Sequence, residues 1–482
     1  MTGGQAIDGS LSLDDLLHQI RAEGVKHIAV VSEDVAPRDL PSFVEAWQRA
    51  DYDELQRRYA QIEGTSVIVY QQLCATEKRR RQKRQLMPKA KTKVFIHPEL
   101  CEGCGDCGKQ SNCLSIQPLE TELGTKRVID QHSCNTDLSC VEGFCPSFIT
   151  LPATALDASE DLSEIPVPIF DPLPDPSVVA LDKPWCGLVA GIGGTGVLTV
   201  NSLLAMAAHI EGKGFATMNQ TGLAQKYGSV VSHIKIAQDQ SDIHAVRVKD
   251  AQANLLLGCD ALVASNPDTL RKLSPSCHAV VNIQTTETRD FLYTAEATTS
   301  SGKTAQLIRQ LIGEHQIDAL DASKLAIALT GDAIAANLFL VGLTSQKGLL
   351  PISPEAIERA IEVNGVAVEL NQSAFTWGRR FVEQPEKILA LLPKEKSSQL
   401  TSLDDIVADR EARLVCYQSK DYAAFYVRRI RTVEKRLNHL PDSGALLCDI
   451  ARQLYRLMAL KDEYEVARIL TTDDKPDGMP DL

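Results

Sequence analysis

Apolar and polar positions along this chain of 482 residues follow two periods, and each change of period marks an element boundary. Between Leu11 and Glu23 the apolar residues Leu13, Leu16, Leu17 and Ile20 recur at helical spacing and share one face. His27–Val31 is an apolar run of strand length, Asp53–Ile62 returns to the helical period, and Thr65–Tyr70 predicts a second buried strand. Strand, helix and strand in that order call for a parallel sheet closed by a crossover. Two recognisable strands leave such a sheet short of the usual four to six. Val94–His97 predicts a strand entering a stretch dominated by cysteines. Farther on, Cys186–Ala190 reads as a strand feeding a helix over Val197–Ile210. Phe215–Gln220, Ser229–Ile236, Ala261–Ala264 and Ala279–Ile283 read as further strands, and Lys324–Leu343 and Pro354–Glu362 as helices. From about residue 404 to 470 only the helical period remains, with Leu446, Leu447, Ile450, Leu454, Leu457 and Met458 on one face. The polar tail 473–482 reads as a frayed end.

The expected class is multidomain α/β. Residues 1–92 form part of an α/β domain, 93–152 a small ferredoxin-like cysteine domain, and 153–184 a Pro-rich, semi-rigid linker. Residues 185–385 form a second α/β domain and 400–482 a helical region.

Composition adds exclusions. Hydrophobic residues at 44% and charged residues at 23% are those of a globular protein, and the net charge of −13 argues against a general nucleic-acid binder. The most apolar segment, Leu325–Leu343, is interrupted by Asp332 and Asn337, so no membrane span is expected. The N-terminus has no charged-then-apolar leader, and thirteen cysteines is an odd number. Both point to a reducing, cytoplasmic setting and to metal chemistry over disulfides.

Seven of those cysteines lie within 45 residues. Cys101, Cys104 and Cys107 have C-x2-C-x2-C spacing with glycines at the turns, and a distant Cys145-Pro146 follows. Three thiolates on a short loop and a fourth crossing from elsewhere is the ligand pattern of a [4Fe–4S] cluster in two-cluster ferredoxins. Zinc is the alternative, but it usually pairs C-x2-C with a second C-x2-C or with histidines, and only His132 lies between the first and last of these cysteines. Cys113, Cys134 and Cys140 remain without a fourth thiolate. A second cluster needs Cys74, another ligand or a three-iron form; buried structural cysteines are the competing reading.

Two other stretches carry chemistry. Six of the seven residues Lys78–Arg84 are basic, which fits a solvated face, coenzyme A phosphates or an acidic redox partner. Gly191, Gly193, Gly194 and Gly196 turn a strand into a helix, where free N–H groups and the helix dipole favour a phosphate. The spacing also fits the dinucleotide fingerprint, but the next strand ends without the acidic residue that a ribose requires, so NAD and FAD are discounted. A tight turn that needs small residues is the bland alternative.

Several stretches together resemble the large single-chain indolepyruvate ferredoxin oxidoreductases of bacteria. Cys101–Phe148 is similar to their cluster region, Gly222–His233 to their G-M-A-Q-R-G-G-S-V-V-x-H segment with Lys226 and Tyr227 departing, and Leu370–Arg379 to the end of their gamma-type domain. Asn364-Gly365 matches the same domain, and Leu457–Arg468 is similar to their helical C-terminal region. Met1–Gln5, including Thr2 and Gly3, resembles the end of their thiamine diphosphate and Mg2+ loop, read A-M-T-G-G-Q. The resemblance implies oxidative decarboxylation of an aryl 2-oxoacid on thiamine diphosphate, acyl capture by coenzyme A, and electron transfer through clusters to ferredoxin. It implies residues 1–92 as the C-terminal part of a thiamine-diphosphate-binding domain and 185–385 as a gamma-type domain. The upstream Gly-Asp-Gly and Asn ligands are missing, so thiamine diphosphate and Mg2+ are expected only with an N-terminal half or partner subunit, in an oligomer. A non-catalytic electron-transfer and binding module is the alternative. No catalytic residue is assigned.

Overall fold

The computed structural model describes residues 9–33, 39–83, 85–131, 133–153, 170–222, 228–284, 291, 301–392, 400–437, 439–440 and 443–471. The chain divides into two compact units, Met1–Lys89 and Ala90–Leu482.

The first unit is built on a parallel sheet of three strands in the order β2-β1-β3, with β1 His27–Ser32, β2 Val44–Gln48 and β3 Ser66–Gln71. β2 is absent from the sequence reading: Val44-Glu-Ala-Trp-Gln48 buries no residue fully, so it lacks the apolar run of a central strand. Central β1 alternates its side chains between two small cores. Ile28 and Val30 pack with Leu17 and Val25, while Ala29 and Val31 pack with Leu55 and Tyr59. Helix Leu13–Ala22 covers one face and Tyr52–Tyr59 the other. The first is held by a capping box in which Ser12 and Asp15 exchange hydrogen bonds. The basic run continues as a helix, Ala75–Lys83, in which Glu77 pairs with Arg80 and Arg81.

The second unit begins with β4 Thr92–Ile96, which pairs antiparallel with β7 Phe148–Pro152; β5 Ile116–Thr121 and β6 Gly124–Ile129 form a hairpin between them. Both cysteine loops are therefore crossovers, one between β4 and β5 and one between β6 and β7.

The large sheet follows, in the order β13-β12-β11-β8-β10-β9. Its strands are β8 Trp185–Ile192, β9 Gly214–Thr221, β10 Ser229–Ala237, β11 Ala253–Gly258, β12 Leu273–Asn282 and β13 Ile317–Leu320. β8, β11, β12 and β13 run parallel, and β10 is antiparallel to both β8 and β9. Ala261–Ala264 is a short helix, not the expected strand. Asp260 caps it by accepting from the Val263 N–H, and the strand is the preceding run Ala253–Gly258. The expected helix Lys324–Leu343 is two helices, Ala322–Thr330 and Ala336–Gln346. Gly331 ends the first in a left-handed conformation (φ 76°), and Asp332 starts the next turn by accepting from Ile334 N–H.

Residues 170–184, the described part of the expected linker 153–184, run against the domain that follows. Phe170 stacks edge-on against Trp377 at 5.3 Å, Val179 N–H donates to the Leu350 carbonyl, and Gln346 donates to the Pro174 carbonyl. Pro166 and Pro168 of that stretch lie outside the described residues.

Four helices, Leu403–Tyr417, Lys420–Leu437, Ser443–Met458 and Glu463–Thr471, close the chain around Ile406, Leu414, Tyr426 and Ile430. They are tied to the cysteine domain by ion pairs: Glu99 with Arg413, Glu102 with Arg456 and Lys461, and Glu122 with Arg410 and Arg452. No helix among the described residues is long and apolar enough to cross a membrane.

Candidate functional site

The cysteine domain sorts its seven thiols into two sets. Burial pushes the Cys107 thiol up to about 12, and the neighbouring Cys101, Cys145 and Cys104 add to the rise. Burial likewise raises Cys140 to about 11, and the neighbouring Cys113 and Cys134 add to the rise. Cys101, Cys104 and Cys145 are thus near enough to act on the Cys107 thiol, and Cys113 and Cys134 near enough to act on Cys140. Thiols so raised stay protonated at neutral pH unless a metal takes the proton's place.

The first loop is shaped for its cysteines. Gly103 and Gly105 are left-handed (φ 69° and 81°), and Gly103 N–H donates to Cys101 Sγ at 3.3 Å. A Cβ on Gly103 would stand 2.3 Å from the Thr125 carbonyl oxygen, so the loop lies directly on β6. Cys101 is buried, while Cys104 and Cys145 are exposed. Cys145 Sγ is 3.0 Å from Ser147 Oγ. Two buried cations that the sequence reading passed over come from β6. Lys126 is 4% exposed and Arg127 is 2% exposed, with the guanidinium 4.2 Å from the Phe291 ring centroid. A Cβ on Gly105 would be 3.6 Å from an Arg127 guanidinium nitrogen. Burial lowers the Lys126 pKa, with Lys461 next and Glu102 and Cys101 opposing. Only a contact across the hairpin brings these side chains to the loop, and no linear spacing announces it.

Among the described residues no group of three or more His, Cys, Asp or Glu side chains stands close enough to hold a single metal ion. A cluster is a larger body than an ion, and its ligands stand farther apart. The donor set of four thiols, three on a glycine-bent loop and one crossing over, fits an iron–sulfur cluster.

The glycine turn lies between β8 and the helix Val197–Ile210, at the carboxyl ends of the parallel strands, where ligands of open α/β sheets bind. Gly194 and Gly196 are left-handed (φ 92° and 97°), and a Cβ on Gly191 would meet Val197 Cγ2 at 2.6 Å. Two of its N–H groups are already engaged: Gly193 donates to the Gly228 carbonyl at 2.8 Å and Thr195 to Ile192 at 3.3 Å. Those two are unavailable to a phosphate, which leaves the orphan N–H groups of the helix's first turn. Buried amides that the sequence did not announce hold this edge. Asn337 donates to the Thr195 carbonyl, and Asn282 donates to Ser323 Oγ and accepts from Ala322 N–H. Thr2, Gly3, Lys226 and Tyr227 lie outside the described residues.

His233, in the segment Gly222–His233, is fully buried on β10. Val248 N–H donates to its Nδ1, so Nε2 carries the proton and donates to Gln220 Oε1 at 3.0 Å. Burial, aided by Lys272, Arg247 and Lys235, pushes its pKa down to about 4. A folded pKa below the unfolded value makes this stability present above about pH 6.5 and lost as pH falls toward 4. Urea titrations should show about 2–3 kcal/mol more loss between pH 7 and 4.5 in the wild type than in His233→Asn. Identical pH dependence in the two proteins would refute this reading.

Residues 187–381 match the family described as pyruvate ferredoxin/flavodoxin oxidoreductase, and residues 403–479 match a family of unknown function (DUF6537). The chain is similar to indolepyruvate oxidoreductase subunit IorB of Archaeoglobus fulgidus, 28% identical over 202 residues, and to that of Pyrococcus horikoshii, 26% identical over 200 residues. Each match covers 40% of this chain and 92% of the relative. Among solved structures, the keto/oxoacid ferredoxin oxidoreductase gamma subunit of Geobacter sulfurreducens matches at 21% identity. That match covers 43% of this chain and 99% of that one, with a TM-score of 0.29. Residues 187–381 are thus a domain of the pyruvate ferredoxin/flavodoxin oxidoreductase family.

Proposed function

We propose that this chain is a subunit of a 2-oxoacid:ferredoxin oxidoreductase that oxidatively decarboxylates indolepyruvate or a related aryl 2-oxoacid, with coenzyme A as acyl acceptor and ferredoxin as electron acceptor. The observation that carries the reading is the pairing, in one compact unit, of an oxidoreductase-family domain with a domain whose thiols gather as Cys101, Cys104, Cys107 and Cys145. Those four cysteines hold a [4Fe–4S] cluster, which supplies one-electron transfer when bound. Lys126 and Arg127 offset part of its negative charge, and exposed Cys104 and Cys145 mark the side on which an electron acceptor approaches. The family domain offers the carboxyl edge of its sheet, at the first turn of the helix Val197–Ile210 that follows the glycine turn Gly191–Gly196, to the coenzyme A phosphates. Thiamine diphosphate and Mg2+ are held with a partner subunit, in keeping with relatives that are themselves named as subunits.

Iron analysis tests this. Anaerobically reconstituted protein should be brown, and Cys104→Ala should lose about four irons per chain, one [4Fe–4S] centre. Colourless wild-type protein, or full iron in Cys104→Ala, would overturn the ligand set. An anaerobic assay with indolepyruvate, coenzyme A and a viologen, with and without the partner subunit, tests the reaction.

A further inference from the structure

The second set of thiols, Cys113, Cys134 and Cys140, is one donor short of a cluster, and the fold supplies a fourth. We propose that Asp137 is an iron ligand of a second cluster, together with Cys113, Cys134 and Cys140. The inference rests on the reading of this domain as an iron–sulfur domain.

The two cysteine loops repeat one another. Cys134-x2-Asp137-x2-Cys140 has the spacing of Cys101-x2-Cys104-x2-Cys107, with Asp137 in the place of Cys104. The backbone repeats as well. In the first loop the residues two and four after Cys101 are left-handed, Gly103 at φ 69° and Gly105 at 81°. In the second, the residues two and four after Cys134 are left-handed too, Thr136 at φ 53° and Leu138 at 61°. The N–H two residues on donates to the leading sulfur in both, at 3.3 Å from Gly103 and 3.4 Å from Thr136. Glycine takes this conformation freely, whereas a β-branched or bulky residue takes it at a cost and only where its surroundings impose it. The second loop is therefore bent like the first in spite of its sequence.

Placement agrees. Each loop is followed by a cysteine that crosses to the other set: Cys145 stands with the first loop, and Cys113 with the second. The helix Asp106–Ser111 packs on the turn Ser139–Val141, so the two loops lie against each other. Cys134, Leu138, Cys140 and Val141 pack on one apolar cluster with Cys101 and Ile129. The middle positions are alike: Cys104 and Asp137 are both exposed. Asp137 Oδ1 accepts from Ser139 Oγ at 3.0 Å and Ser139 N–H at 3.4 Å, which orients the carboxylate. Three thiolates and one carboxylate are a competent iron donor set, and the carboxylate is its hardest and most exchangeable member.

This difference makes the test. In the second cluster, mild oxidation with ferricyanide takes one electron from the [4Fe–4S]2+ core and frees one Fe2+, leaving [3Fe–4S]+. The full chain, reconstituted anaerobically, should hold about eight irons, and about seven after ferricyanide, with the electron paramagnetic resonance signal of a three-iron centre. Asp137→Cys should keep about eight through the same treatment, and Asp137→Ala should hold no more than about seven from the start, whether its second centre keeps three irons or is lost. Circular dichroism of each variant establishes that it is folded. About four irons in wild type and both variants would overturn this inference while leaving the first cluster in place. Eight irons that resist ferricyanide in wild type and in Asp137→Ala would assign the fourth ligand elsewhere. Protein without iron would overturn the reading of the domain itself.

Discussion

Replacing Gly378 by Ala should destabilise the family domain by about 3 kcal/mol. Gly378 lies on the helix Val368–Glu383, and a Cβ there would stand 1.9 Å from the Phe339 carbonyl oxygen of the helix Ala336–Gln346. The approach is reciprocal: a Cβ on Gly342 would stand 2.0 Å from the Phe375 carbonyl oxygen. In both cases the obstacle is backbone, which cannot rotate away as a side chain can. A methyl at either position must drive the helices apart, and the surrounding core, with Phe339, Phe375 and Leu343, loses its packing. Because one separation relieves both clashes, Gly342→Ala with Gly378→Ala should cost well short of the sum of the two. Urea midpoints of the three variants measure this. A loss below about 1 kcal/mol in Gly378→Ala would show that the helices adapt more easily than the geometry allows.

Arg410→Met should weaken the attachment of the helical region to the cysteine domain by about 3 kcal/mol. The Arg410 side chain is wholly buried on Leu403–Tyr417. Its guanidinium pairs with Glu122 at 3.1 Å and with Asp409, and it lies 5.2 Å from the Tyr455 ring centroid. Glu122 sits in the hairpin between β5 and β6 and also accepts from Arg452 and the Leu400 N–H. Removing Arg410 leaves the largely buried Glu122 carboxylate with fewer partners where water reaches it poorly, which costs more than the net worth of the pair, while Asp409 keeps Arg413. Hydrogen exchange should quicken in Leu403–Tyr417 and Ser443–Met458 and stay unchanged in β8–β13. Uniform exchange across the chain, or none beyond wild type, would contradict this division.

The helical region matches a family of unknown function, and its ion pairs give it a definite place: Glu99, Glu102 and Glu122 of the cysteine domain all meet its cations. Glu102 is also the residue after Cys101, so the contact reaches the first loop directly.

The sequence by itself determined what is local. The C-x2-C-x2-C spacing, the glycine turn after an apolar strand and the helical period after residue 404 each lie within a few residues, and short-range sterics and periodicity read them. The same reasoning missed β2, whose half-buried residues carry no apolar run. It took the capped helix Ala261–Ala264 for a strand, because four apolar residues fit either element until Asp260 is seen to cap them. It joined Ala322–Thr330 to Ala336–Gln346 across Gly331, whose left-handed conformation ends the first helix. Tertiary structure alone decided the rest. Lys126 and Arg127 reach the first cysteine loop through the contact of that loop with β6, and β10 enters between β8 and β9, antiparallel to both. Asp137 resembles Cys104 only once Thr136 and Leu138 are seen to bend as Gly103 and Gly105 do. Intrinsic preference would place those two residues elsewhere, and only the packing around the loop can hold them there.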